Sequence, residues 1–314
     1  MRLPATIVAA LLAASSANAA EPQCGLKRYA SLDMQDDQYG RVMVEAMVNH
    51  APRWVLVDTG GATSEIGEDV LRALQIKEYP LAAGIHFYTM DGSEITHWAT
   101  IPNFEIGLAH FADRRFLVLP SPNGGPAHQM QGILAPDLLS KFDLDFDFQN
   151  KKLNLFSQDH CEGKVVYWAQ SYAAMPFEMS EDGHIKLDLT LDGKSVSGVL
   201  DTGANVTTLL APAAHALFGI SKDSPGVTGK PDSLHVQLHQ LSVGGVSIQN
   251  PQIYLVDDAA DHTYRNEMGM SLQELGVPSS LMPKMILGTN ILRRLHLYIA
   301  YQEHKIYITA AEAH

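Results

Sequence analysis

Short apolar runs with a period of two dominate the chain. Val42, Val44, Ala46 and Val48 alternate with polar or larger neighbours, Asn49-His50-Ala51-Pro52 interrupts them, and Trp54-Val55-Leu56-Val57 resumes the run. Side chains two apart on a strand share a face, and Asn and Pro mark turns, so this pattern predicts a β-hairpin within an extended region from Arg28 to Val57. Phe104 to Gly107 and Phe116 to Leu119 predict further strands, and Ile85 to Trp98 reads as two arms around Asp91-Gly92, a strong hairpin signal. Helical spacing is rare. Glu68 to Leu74 shows it at Val70, Leu71 and Leu74 with acids in the first turn, and Ala211 to Gly219 shows it with Pro212 near its start and Gly219 as its stop. The reading is an all-β chain with a few short helices.

The pattern occurs twice. Gly40 to Asp58 overlies Gly183 to Asp201 without a gap at an offset of 143 residues, and each copy ends in an apolar strand that runs into Asp-Thr-Gly, at Asp58-Thr59-Gly60 and Asp201-Thr202-Gly203. Leu144 to Leu155 overlies Leu297 to Ile308 at an offset of 153, so the second copy has gained ten residues, which fall in the Met-, Gly-, Ser- and Pro-rich stretch from Asp257 to Pro283. Between these blocks, Gln131 to Leu139 matches Met285 to Leu292. Each is an apolar strand reaching a small residue, Ala135 or Gly288, and then a helical turn. A repeat of this length means two duplicated lobes rather than a solenoid. The boundary is placed near Glu162-Gly163, giving an N-terminal lobe at 21–162 and a C-terminal lobe at 163–314.

Composition changes this picture little. The chain has 314 residues and a net charge of −13, and that acidity argues against nucleic acid or an anionic membrane as a partner. Residues 1–20 carry a basic start, a short apolar core and Ala17-Asn18-Ala19, the pattern of a signal peptide cleaved after Ala19 or Ala20. The expected product is a secreted or periplasmic protein without a membrane anchor. Cys24 and Cys161 are the two cysteines, which in an oxidising compartment are expected to pair, with two separate thiols as the alternative.

Metal chemistry finds no support in the spacing. Asp143, Asp145 and Asp147 resemble the start of a calcium loop, but Phe148 and Asn154 stand where Gly and Glu are needed, so a strand with one solvated edge is expected. His235 and His239 lie on a strand-like run that would hold them about 13 Å apart. No cofactor or metal is called for.

Two acids at equivalent strand ends suit hydrolysis by a carboxylate pair that shares one proton around a water, one acid ionised as general base and the other neutral as proton donor. Thr59 and Thr202 are placed to bond across to the opposing backbone, and Gly60 and Gly203 leave room for that approach. The two D-T-G turns, with the later Ile286-Leu287-Gly288 element, resemble the pepsin and retropepsin superfamily of aspartic peptidases over nearly the whole mature chain. The resemblance implies a bilobal pepsin-like or retropepsin-like fold, with two β-barrel-like lobes related by a pseudo-twofold axis. It also implies catalytic Asp58 and Asp201, interlocking threonines, an extended polypeptide as substrate, and a flap. By position the flap is the His86 to Trp98 hairpin, with Tyr88 and Met90 toward the substrate.

Pepsins carry a hydroxyl residue after D-T-G, whereas Gly61 and Ala204 stand here, a retropepsin-like pattern. With those donors gone, a pH optimum less acidic than that of pepsin is expected. Ala135 in place of glycine alters the packing expected behind Asp58. The leading reading is a monomeric, exported aspartic endopeptidase; the alternative is an inactive relative that binds peptides in the same cleft.

Overall fold

The computed structural model describes residues 25–85, 87–89, 93–120, 130–230, 233–256 and 283–311. The expected signal segment, Cys24, Met90, the Asp91-Gly92 turn, the Ser121 to Pro126 loop and nearly all of the 257–283 insertion lie outside the described residues.

Each half folds as the alternation predicts. In the first, strands Val42–Val48 and Ala51–Val57 form the hairpin, joined at Asn49 and His50, both with positive φ (49° and 65°), the turn that matches strand twist. In the second, Ile185–Leu191 and Lys194–Leu200 repeat it around Asp192-Gly193, with φ of 43° and 78°. The first half builds an eight-stranded sheet closed by pairing of Val42–Val48 with His97–Ile106; the second builds a ten-stranded sheet. Helices Glu68–Leu74 and Ala211–Phe218 take the expected places, and Gly219 caps the second with φ 69°. Among the described residues no helix is long and apolar enough to cross a membrane.

A third sheet of six strands belongs to both halves. Asp143–Asp147 pairs antiparallel with Leu295–Ala300, Leu144 opposite Ile299 and Phe146 opposite Leu297. Asp145 and Tyr298, equivalent positions by the offset of 153, therefore face one another, and the pseudo-twofold axis passes between them. Strands Lys152–Phe156 and Arg28–Asp33 extend the sheet on one side, Lys305–Ala310 and Ala173–Pro176 on the other. Cys161 is disulfide-bonded on the segment leading into the second half.

The acidic strand of this sheet departs from the sequence expectation. Asp143 and Asp145 are fully buried rather than on a solvated edge. Asp143 accepts hydrogen bonds from the Tyr301 backbone N–H (3.0 Å) and the Tyr298 hydroxyl (3.3 Å) and pairs with His160 Nε2 at 2.5 Å. Asp145 meets His296 Nε2 at 2.6 Å, Asn154 Nδ2 at 2.9 Å and the Tyr167 hydroxyl. Buried carboxylates persist only when so partnered, and these partners come from both halves and from the segment between them, which a local pattern does not reveal.

Asp143→Ala removes an acceptor shared by Tyr298, Tyr301 and His160, and should lower stability by about 3–5 kcal/mol, read as a fall in the urea midpoint. Asp147→Ala, at the partly exposed end of the strand where Asp147 bonds Asn150, should cost at most about 1 kcal/mol; equal losses would contradict the role given to burial.

Candidate active site

Both Asp-Thr-Gly turns leave the end of a buried strand, and both are tied to the short strand that runs parallel to it. The Asp58 N–H donates to Leu134 O at 2.9 Å, and the Asp201 N–H to Leu287 O at 3.1 Å. The threonines lock the turns together. Thr59 N–H donates to Thr202 Oγ1 and Thr202 N–H to Thr59 Oγ1, each at 3.1 Å; Thr59 Oγ1 donates to Leu200 O at 2.9 Å and Thr202 Oγ1 to Val57 O at 2.6 Å. All four bonds cross between the halves, and both threonines are fully buried. A Cβ at Gly60 would lie 2.3 Å from Asp201 Cγ, and one at Gly203 would lie 2.3 Å from Asp58 Cγ, so any side chain there would displace the opposing carboxyl.

The two carboxyl groups, each packed against the glycine of the other's turn, act on one another's ionisation. Burial, then repulsion from Asp201, hold the Asp58 carboxyl well above the ordinary carboxylate range. Burial also raises Asp201, but the bond from Asp58, the N–H groups of Ala204 and Gly203, and nearby His184 oppose that rise. Gly203 N–H and Ala204 N–H reach Asp201 Oδ1 at 2.8 and 3.0 Å, while Gly60 N–H reaches Asp58 Oδ1 at 2.9 Å. The pair therefore holds one proton, placed on Asp58, and Asp201 carries the charge. Asp58 is half-buried and Asp201 is 9% exposed, so solvent reaches the pair. Such an arrangement can activate a water and protonate a carbonyl oxygen.

Behind each aspartate stands a support that the sequence reading missed. Ser64 N–H and Oγ donate to Asp137 Oδ1 at 3.0 and 2.6 Å, and Ser64 Oγ accepts from Ala135 N–H at 3.0 Å. In the second half Thr207 N–H and Oγ1 donate to Asn290 Oδ1, both at 2.8 Å, and Thr207 Oγ1 accepts from Gly288 N–H at 3.0 Å. The offsets of 143 and 153 map one set onto the other. A hydroxyl six residues after each Asp, matched by an Asp or Asn two after each small residue, was the available signal.

Ala135 finds its room in the same symmetry. A Cβ on Gly288 would lie 2.3 Å from Val206 O and 3.0 Å from Ala204 O, whereas Ala135 Cβ faces Gly61, where an added Cβ would come within 3.3 Å of it. Each half thus sets one alanine against one glycine, in swapped order.

Glu65, the residue after Ser64, is another group that sequence reasoning passed over. Burial pushes its carboxyl up to about 8, and its charge adds to the rise at Asp58. The expected flap residues are less engaged. Phe87–Tyr88 pairs with Glu94–Ile95 as a two-stranded hairpin, but Tyr88 is 42% exposed and enters none of the dyad's bonds; Met90 lies outside the described residues. Trp98 stacks on Tyr79 at 5.1 Å under Arg115. Among the described residues no group of three His, Cys, Asp or Glu could hold a metal ion.

A family model described as Aspartyl protease matches residues 44–137 and 187–291. The fold is similar to the crystal structure of aspartic proteinase from Irpex lacteus, at 15% identity over 90% of this chain and 97% of that one, with a TM-score of 0.53. It is also similar to Basic 7S globulin from soybean, at 11% identity over 91% and 96% of the two chains, again with a TM-score of 0.53. At these identities the likeness is one of fold. No curated protein matches the sequence.

Thr59→Val takes the partner of Thr202 N–H and one donor to Leu200 O out of the interior and should cost about 1–3 kcal/mol. Because Thr59 and Thr202 share one network, the double replacement by valine should cost less than the two single losses combined, by about 0.5–3 kcal/mol in a denaturation cycle. Strict additivity would mean that the two threonines do not act as one lock.

Proposed function

Because this chain belongs to the aspartyl protease family, we propose that it is an exported endopeptidase that cleaves extended polypeptides between its lobes, with Asp58 and Asp201 as the catalytic acids. One observation carries the reading: two carboxyl groups, one from each half, each held against the glycine of the opposing turn by the threonine lock. The basic start, apolar core and Ala17-Asn18-Ala19 of residues 1–20 support the reading of export to the periplasm or the exterior.

A water between the carboxyl groups lies within reach of both. Ionised Asp201, its charge supported by the Gly203 and Ala204 N–H groups, takes a proton from the water as it attacks the peptide carbonyl carbon. Neutral Asp58 gives its proton to the carbonyl oxygen, and the intermediate is a tetrahedral diol held non-covalently. Collapse breaks the C–N bond as the amine is protonated, and the pair returns to its one-proton state. The threonine lock fixes the distance between acid and base throughout, which limits the reorganisation the reaction must pay for.

Asp58→Asn and Asp201→Asn should each lower kcat on casein or a peptide library by about 10²–10⁴ while the fold survives. Wild-type protein that binds peptides yet cleaves none from pH 3 to 8 would instead identify a peptide binder.

Activity should follow a bell in pH. It is lost on the acid side as Asp201 gains a proton and on the alkaline side as Asp58 loses its own; burial raises both carboxyls above the ordinary value of about 3.9, so both limbs shift upward. A kcat/KM profile that peaks only in strong acid contradicts this.

A further inference from the structure

We infer that Glu65 is a specificity determinant of the interlobe cleft, selecting substrates with a lysine or arginine side chain close to the scissile bond. This deepens the peptidase reading and rests on it.

Glu65 opens the strand Glu65–Gly67, which lies between Ala109–Leu119 and Gly132–Leu134, with Leu117 and Ile133 as its lateral neighbours. Its successor Ile66 is fully buried in the core of the first lobe. Alternation along the strand turns Glu65 to the opposite face, away from that core. On that face it shares a row across the sheet with Ile133 and Leu56, the latter two residues before Asp58.

Among the described residues the carboxyl of Glu65 has no hydrogen-bond or ion-pair partner. Acids elsewhere in the interior are satisfied internally: half-buried Asp137 by Ser64, buried Asp143 by His160 and Tyr301, buried Asp145 by His296 and Asn154. Desolvation raises its carboxyl to about 8, which favours the neutral acid at Glu65 until a cation is brought to it. A group of this kind is costly to bury as an anion and ionises when a cation is brought to it.

The fold does not require an acid at this place. The position equivalent to Glu65 in the second half is Thr208, 143 residues on, which faces Ile286 as Glu65 faces Ile133. The same strand, in the same register, is built there with a hydroxyl. The carboxyl is therefore an asymmetric addition to a symmetric scaffold, one strand removed from the strand that carries Asp58. The chemistry that completes it is a cationic side chain, which supplies a charge-assisted hydrogen bond in a partly dry site. The net charge of −13 favours the approach of such peptides as well.

The test uses paired peptides that differ at one residue, lysine against the near-isosteric and uncharged norleucine, at each of the two positions on either side of the cleaved bond. Wild type should prefer lysine in kcat/KM at one of these positions by about tenfold or more, and Glu65→Gln should bring that ratio to within about twofold of unity. The isosteric glutamine keeps the shape of the site, and near-UV circular dichroism checks that the variant is folded. Equal rates for each pair in wild type, or a lysine preference that survives in Glu65→Gln, overturns the inference. So does a variant that shifts the pH profile and leaves the ratio intact, since Glu65 would then act on the dyad alone. If wild type cleaves none of the peptides, the peptidase reading fails by itself, and anisotropy with labelled versions of the same pairs decides on Glu65. Tighter binding of lysine peptides by wild type than by Glu65→Gln supports it, and equal binding overturns it.

Discussion

Thr59 and Thr202 set where the two halves meet, and the chemistry of the dyad follows from that constraint. Each threonine hydroxyl accepts from the backbone of the other turn and donates to the strand beneath it, so four bonds close a ring across the axis with no water needed. Backbone groups at the end of a strand would otherwise be left unpaired in the interior, at about 1–3 kcal/mol each. The ring removes that cost only when the turns are in contact. Contact in turn forces the opposing carboxyl against the glycine of each turn, which leaves the two aspartates no arrangement except side by side.

Symmetry sets the geometry, and departures from symmetry assign the roles. The Ser64–Asp137 and Thr207–Asn290 supports are twins in hydrogen bonding, yet one carries a carboxyl and the other an amide. The Gly61–Ala135 and Ala204–Gly288 pairs exchange the same methyl between facing positions. At the dyad, Ala204 N–H and the proximity of His184 favour charge on Asp201, while Glu65 weighs against charge on Asp58. At the dyad these differences act in the same direction, which favours the proton on Asp58 and the charge on Asp201.

Most of the scaffold was legible in the sequence because hairpins and short helices report themselves through local spacing. Asn49-His50 turns where the alternation breaks, and Ala211–Phe218 stops at the glycine that takes a left-handed φ. The offsets of 143 and 153 carried further, since they predict which positions share an environment, and Ile133 and Ile286 do occupy matching registers. What stayed hidden depended on partners far along the chain. Asp143 and Asp145 alternate with apolar residues as surface acids do; their burial follows from His160, His296, Tyr298 and Tyr301, which lie about one loop or one whole lobe away. Ser64 and Glu65 carried no local signal, because a lone hydroxyl or acid on a short strand has many ordinary explanations.

The axis brings equivalent residues together at two depths, and the molecule treats them in opposite ways. In the shared sheet the first copy contributes Asp143 and Asp145; at the corresponding positions the second has His296 and Tyr298. Had both copies carried acids, four carboxylates would meet in the interior, and burial of that much like charge is not sustainable. The second copy instead supplies donors, His296 to Asp145 and Tyr298 to Asp143, so the repulsion becomes a pair of hydrogen bonds that bind the halves. At the dyad both acids remain. There the repulsion is relieved only by a shared proton, which leaves a buried pair that is costly to ionise and sensitive to pH. The same molecule shows how readily a duplicated acid can be exchanged for a donor. Keeping both at the dyad is thus a choice that stability does not explain, and a shared, movable proton is what peptide hydrolysis needs.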